Sequence, residues 1–183
     1  MDRLWTPWRL AYVTSNAAGN SPSASELGCI FCAAAATLEK SPSEGAASAE
    51  DLVVARGETC FILLNLYPYN NGHLMVVPRR HIASLATANE TELAELMRLT
   101  RLSEIALTEA YRPHGINMGI NIGRAAGAGV VDHVHIHLLP RWYGDSSFMS
   151  TVSETRVIPE ELQQTAQRLR PIFDRLLRSP NSV

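Results

Sequence analysis

Three short apolar runs follow one another between residues 52 and 77: Leu52-Val53-Val54-Ala55, Cys60 to Leu64, and His73-Leu74-Met75-Val76-Val77. The link before the third ends in Asn70-Asn71-Gly72, and an Asn-Gly step favours the positive backbone dihedrals of a turn, so the second and third runs are predicted to pair antiparallel. Asn89-Glu90-Thr91-Glu92 then has the spacing of a helix capping box. Leu93, Leu96, Leu99, Leu102, Ile105, Ala106 and Ala110 follow at intervals of three and four, which predicts a long helix ending near Pro113 and Gly115. Beyond it, Ile116 to Asn121 and Val131 to Leu139 alternate with the period of strands. A second helix is expected from about Glu160, after Pro159, to Leu177, with Pro171 inside it as a place to kink or split. Strands with one long helix inserted and another at the end predict an α+β domain built on an antiparallel sheet.

Composition narrows the partners. Of the 183 residues, 46% are hydrophobic and 19% charged, as in an ordinary globular domain. A net charge of −2 gives no broad basic surface, so long nucleic acid is not an expected partner, although local donors can still bind a small acidic ligand. No apolar run is long enough to cross a bilayer, and the start, Met1-Asp2-Arg3-Leu4-Trp5, lacks the apolar core of a signal peptide, so a cytoplasmic location is expected. Three cysteines make no disulfide framework. Cys60, in an apolar run, reads as a small buried hydrophobe, whereas Cys29-Ile30-Phe31-Cys32 has the spacing of a zinc knuckle or a redox pair. The segment Trp5 to Val13, with two tryptophans in four positions, needs a cover, either its own domain or a second copy of the chain. Ser15 to Ser25 and Ser41 to Glu50 read as loops flanking the cysteine pair.

Chemistry concentrates in one run. Half of the six histidines lie in His133-Val134-His135-Ile136-His137. On a strand these three share one face, roughly 7 Å apart at alternate positions, while Val134, Ile136 and Leu138 face the core. A polar sheet face, a metal site and a nucleophilic imidazole flanked by helpers all fit that geometry. Upstream, Asn121-Ile122-Gly123-Arg124-Ala125-Ala126-Gly127-Ala128-Gly129 is a glycine-rich connection whose backbone N–H groups can approach an anion closely. A phosphate cradle beside a nucleophile accounts for both features. Arg79 and Arg80 read as a solvated strand end or as neighbours of polyphosphate, and His114 receives no role.

His133-Val134-His135-Ile136-His137-Leu138-Leu139 resembles the complete signature of the histidine triad superfamily, three histidines alternating with hydrophobic residues. The resemblance runs from about Cys29 to Trp142. It takes in Asn65 and His73 eight positions later, the segment Leu74 to His81, the long helix and Asn121. It implies that His135 attacks the α-phosphorus of a nucleotide to form a nucleotidyl-histidine, that His137 lies beside the phosphate oxygens and leaving group, and that His133 orients the site. It further implies that Asn121 and the backbone of Gly127, Ala128 and Gly129 hold phosphate and that Asn65 bonds the ribose hydroxyls.

Leu4 to Arg9, Asn65 to Asn70 and Pro140 to Asp145 are similar to the bacterial branch that includes diadenosine tetraphosphate phosphorylases, where Trp142 would border the substrate. Ala126-Gly127-Ala128-Gly129 departs from both the Ala-Gly-Gln-Ser/Thr of hydrolases and the Gly-Ser of phosphorylases, which leaves water and phosphate open as the second nucleophile. Zinc-binding members complete a Cys-x-x-Cys site with residues at His81 and His133, so the resemblance implies a structural zinc held by Cys29, Cys32, His81 and His133. The expected organisation is an N-terminal arm over 1–28, a histidine triad domain over 29–145 and a helical extension over 146–183, in a homodimer that cleaves dinucleoside polyphosphates. A nucleoside phosphoramidate or acyl-nucleotide hydrolase and a non-catalytic nucleotide-binding regulatory module are the competing expectations.

Overall fold

The computed structural model describes residues 28–38, 52–145 and 160–178. The tryptophan-bearing start, both serine-rich segments and the linker before the last helix lie outside them. Five strands, β1 (Val53–Arg56), β2 (Cys60–Leu64), β3 (Leu74–Pro78), β4 (Gly115–Ile120) and β5 (Ile136–Arg141), form one sheet in the order β1-β2-β3-β5-β4, with every neighbouring pair antiparallel. Three helices accompany it: α1 (Ile30–Thr37), α2 (Glu90–Tyr111) and α3 (Leu162–Arg178). The predicted α+β class and the β2–β3 pairing are what is observed. Gly72 takes a φ of +71° at the turn, and a Cβ there would stand 2.9 Å from the Tyr111 ring, so the position has no room for a side chain.

α2 begins as its sequence predicts. The Glu92 N–H donates to Asn89 Oδ1 at 2.9 Å and the Asn89 N–H to Glu92 Oε2 at 2.8 Å, satisfying two of the orphan donors of the first turn. One turn on, the Glu95 carboxylate accepts from the backbone N–H groups of Glu58, Thr59 and Cys60 and from the Thr59 hydroxyl, pinning the β1–β2 turn to the helix. Burial alone would raise its pKa, but these donors and Arg98 outweigh that and hold it down at about 2. Arg80 bonds Glu92 through two nitrogens, each at 2.8 Å, and Arg79 donates to the Gly57 carbonyl, so both arginines serve the scaffold.

Two other elements differ from expectation. α1 has no amphipathic period to betray it, since Ile30 to Ala36 are all apolar; alanine propensity and the burial of Phe31 and Ala34 carry it. α3 continues through Pro171 without splitting, because Ala166 and Leu169 before the proline and Phe173 and Leu176 after it all anchor in the core.

Strand alternation divides the sheet into two faces. Ile62, Leu64, Leu74, Val76, Ile136 and Leu138 pack with Leu96, Leu99, Leu102, Ala106 and Leu107 of α2 and with the apolar stripe of α3. Phe61, Leu63, Met75 and Val77 pack with Phe31, Ala34 and Leu38 of α1. Met75 lies opposite His137 in the β3–β5 register, so the last triad histidine belongs to the α1 face. β4 is an edge strand, largely exposed, with Met118 45% accessible.

Candidate active site

The alternation from Val131 to Leu139 predicts a strand across the whole histidine run, but the regular ladder begins only at Ile136, paired with Val76 and Ile120. Upstream the Val134 N–H donates instead to the Ile82 carbonyl at 2.7 Å, in the segment after β3 has ended at Pro78. The chain therefore leaves the pleat within the triad. The His135 and His137 ring centroids come to 4.7 Å, and His133 turns to different partners.

His133 is fully buried. Its Nε2 lies 2.9 Å from the Pro78 carbonyl, which can only accept, so the proton sits on Nε2 and Nδ1 carries the lone pair. That Nδ1 faces Cys29 Sγ at 3.3 Å and Cys32 Sγ at 3.6 Å, while Cys32 Sγ lies 3.2 Å from His81 Nδ1. The four ligand atoms lie within 4.8 Å of one another. Tetrahedral zinc places sulfur and nitrogen ligands roughly 3.6 Å apart, so the donor set fits a closed Cys2His2 site, with the Pro78 carbonyl fixing one ligand from outside. Burial, opposed by the Pro78 carbonyl and aided by His81 and His135, pulls the His133 pKa down to about 4.

His135 is also buried, and its Nδ1 lies 2.9 Å from the His133 carbonyl. By the same logic Nδ1 carries the proton and Nε2 is left with its lone pair directed away from the backbone. Burial lowers its pKa, favouring the neutral base.

The third histidine depends on a residue to which the sequence assigns no role. His73 Nδ1 receives the Tyr69 N–H at 3.2 Å and stands 3.3 Å from the Asn65 amide nitrogen, so it is an acceptor. His73 Nε2–H then donates to His137 Nδ1 at 2.9 Å, which places the His137 proton on Nε2. One backbone amide thus orders two imidazoles, and the second presents a donor beside the lone pair of His135. Burial, and then the proximity of His135, hold the His137 pKa at about 4. The signal for His73 is its register: it precedes β3, and Leu74 pairs with Leu138 next to His137.

The remaining candidates fall in different places. Asn65 is engaged in the β2–β3 turn, where its Oδ1 also accepts the Tyr67 N–H at 3.1 Å. Asn121 follows Ile120, the partner of Ile136, and its amide reaches the Gly127 carbonyl at 3.4 Å. The loop therefore curls back beside the histidines; Gly127 takes a φ of +85°, Ala128 is half-buried and Gly129 exposed. Trp142 lies beyond the opposite end of β5, roughly 20 Å from His135 by strand rise, and packs edge-on against Tyr111. Asp145 fixes its turn, accepting from Arg141 and from the Trp142 N–H.

The sequence matches the HIT domain family over residues 46–143, more than half of the chain. The chain belongs to the HIT family. It is 38% identical over 169 residues to the AP-4-A phosphorylase of Mycobacterium tuberculosis, covering 92% of this chain and 83% of that protein. A histidine triad nucleotide-binding protein of Sulfolobus tokodaii superposes with a TM-score of 0.64 at 28% identity, covering 84% of this chain and 97% of the other. A zinc-bound histidine triad family protein of Mycobacterium smegmatis also gives 0.64, at 25% identity, covering 85% and 99%. This HIT protein has no described helix long and apolar enough to cross a membrane.

Proposed function

We propose that this HIT protein cleaves dinucleoside polyphosphates at the α-phosphate through a nucleotidyl intermediate on His135. The observation that carries the reading is the ordering of the two imidazoles: His135 is tied at Nδ1 with Nε2 unprotonated, and His137 is tied at Nδ1 with Nε2 protonated. The His135 lone pair forms the N–P bond as the bond from phosphorus to the bridging oxygen breaks, and His137 Nε2–H donates a hydrogen bond to the oxygen on which charge builds. Attack by a second nucleophile from the vacated side releases the nucleotide and restores both imidazoles. Asn121 with Gly127, Ala128 and Gly129 holds the phosphate, and Asn65 meets the ribose at the turn it shares with His73.

Phosphorolysis is the favoured second half, because the relative matched over nearly the whole chain is named a phosphorylase. Hydrolysis is the second reading, supported by 28% identity over 123 residues to the bis(5'-adenosyl)-triphosphatase of Dictyostelium discoideum. Diadenosine tetraphosphate supplied with and without inorganic phosphate separates them: ADP formed only with phosphate marks phosphorolysis, AMP formed regardless marks hydrolysis. No turnover of any mixed anhydride or phosphoramidate returns the protein to the class of nucleotide-binding regulators.

Zinc at Cys29, Cys32, His81 and His133 fits the donor geometry and would lock the segment that carries His135. It presupposes reduced thiols, consistent with a cytoplasmic setting. Cys29→Ser and Cys32→Ser are each expected to lose the metal, measured as zinc per chain; unchanged content removes the ligand set. A homodimer joined along the exposed β4 edge would account for Trp142, since an antiparallel partner strand brings the far end of one β5 toward the histidine end of the other.

A further inference from the structure

The segment that supplies both thiols also supplies a ring. Phe31 stands between Cys29 and Cys32, is 1% exposed, and belongs to the apolar cluster of Phe61, Met75 and Val77. Its ring centroid lies 4.9 Å from that of His135, tilted by 51°, and 5.3 Å from that of His133, nearly edge-on at 77°. His135 is therefore held by three contacts: its Nδ1 on the His133 carbonyl, the His137 ring at 4.7 Å, and Phe31.

A single hydrogen bond does not orient an imidazole. The ring can still rock about its Cα–Cβ bond, and Nε2, on the side of the ring remote from Cβ, is displaced further by that motion than the anchored Nδ1. A flat, rigid neighbour in contact with the ring removes that swing, and a neighbour of equal volume without a flat face does not. Phe31 is itself rigid because the residues on either side of it converge on His133 Nδ1 through their sulfurs at 3.3 and 3.6 Å.

We propose that Phe31 is a positioning residue for the nucleophile, holding the His135 imidazole so that Nε2 lies on the line of attack at the α-phosphorus. The role rests on the nucleotidyl-histidine reading above and adds to it the route by which the cysteine knuckle acts on chemistry without touching substrate. Misplacement of a reacting atom by a fraction of its approach distance lowers the chemical step and leaves ground-state binding nearly intact.

The test replaces Phe31 by Leu and, separately, by Met in the full chain, with zinc content and thermal unfolding measured beside kinetics. Folded, zinc-replete Phe31→Leu is expected to lose about tenfold or more in kcat, with KM within about twofold of the parent. The His135 ring-proton resonances are expected to lose the displacement that a neighbouring phenyl ring imposes. An unchanged kcat overturns the proposal, as does a rise in KM alone, which makes Phe31 a wall of the binding pocket. Loss of zinc and of cooperative unfolding in both variants also overturns it, since Phe31 then serves the fold as a whole. If the parent itself turns over no dinucleotide, the catalytic reading fails; His135 resonances that do not respond to Phe31→Leu sink the ring contact independently.

Discussion

On the sheet face covered by α2 and α3, Ile62, Leu64, Val76, Ile136 and Leu138 meet Leu99, Leu107, Leu169 and Phe173, and Thr100 and Ser103, buried in the middle of α2, bond back to their own helix. On the other face the strands meet α1 with Phe61, Met75 and Val77, but beside them stand His73, His133 and His135, each buried and each hydrogen-bonded through a named nitrogen. The first face needs apolar volume, and many side chains satisfy that. The second needs a particular donor or acceptor opposite each anchored ring nitrogen, because a buried polar group without a partner costs more than the bond gains. Substitutions should therefore separate stability from chemistry by face.

The largest effect belongs to the polar face. His135→Asn is expected to reduce kcat roughly ten-thousand-fold while the unfolding midpoint stays near that of the parent. A variant that retains turnover, measured under single-turnover conditions, would break the assignment of the nucleophile. Phe173→Ala is the counterpart on the apolar face. It should cost about 3–5 kcal/mol in denaturant titration and leave kcat of the folded fraction unchanged. A drop in kcat of the folded enzyme would show that the two faces are coupled.

His73→Leu tests whether the relay behind His137 matters. Removing the donor to His137 Nδ1 frees that ring to adopt the other tautomer, and kcat should fall about 10–100-fold with a smaller change in KM.

The smallest effect is one of pH. Burial lowers His135 and holds His137 at about 4, so below pH 6.5 these rings bind fewer protons in the folded state than in the unfolded chain, for His137 down to about pH 4. Stability contributed by the neutral His137 ring is complete above pH 6.5, is lost as pH falls through that window, and changes no further below about 4, and His135 contributes with the same sign. His137→Gln should flatten the decline of melting temperature across this range, and Phe173→Ala should leave its slope as in the parent. The acid limb of kcat should likewise lie below the 6.5 of an ordinary imidazole.

How much of this was legible differs element by element. The capping box of Asn89 and Glu92, the three-and-four spacing of α2 and the Asn71-Gly72 turn are local signals, and the structure follows them. α1 was hidden because an all-apolar run has no period, and the unbroken α3 because the effect of Pro171 depends on what anchors the turns on either side. The histidine run marked the residues that come together at the candidate site, but strict alternation put all three on one strand face, whereas the ladder starts only at Ile136.

The amino-acid sequence by itself determined the family and the antiparallel α+β frame, since each depends on side-chain type at short spacing. The resemblance already grouped His133 with Cys29 and Cys32; only the tertiary structure decided that His133 meets them through Nδ1 with Nε2 on the Pro78 carbonyl, that His73 sets the proton of His137, and that Phe31 packs on His135. These contacts join residues 29 to 32 with 73 to 81 and 133 to 137, three segments far apart in the chain. A tautomer is set by whichever atom stands opposite the nitrogen, and a linear pattern does not contain that atom.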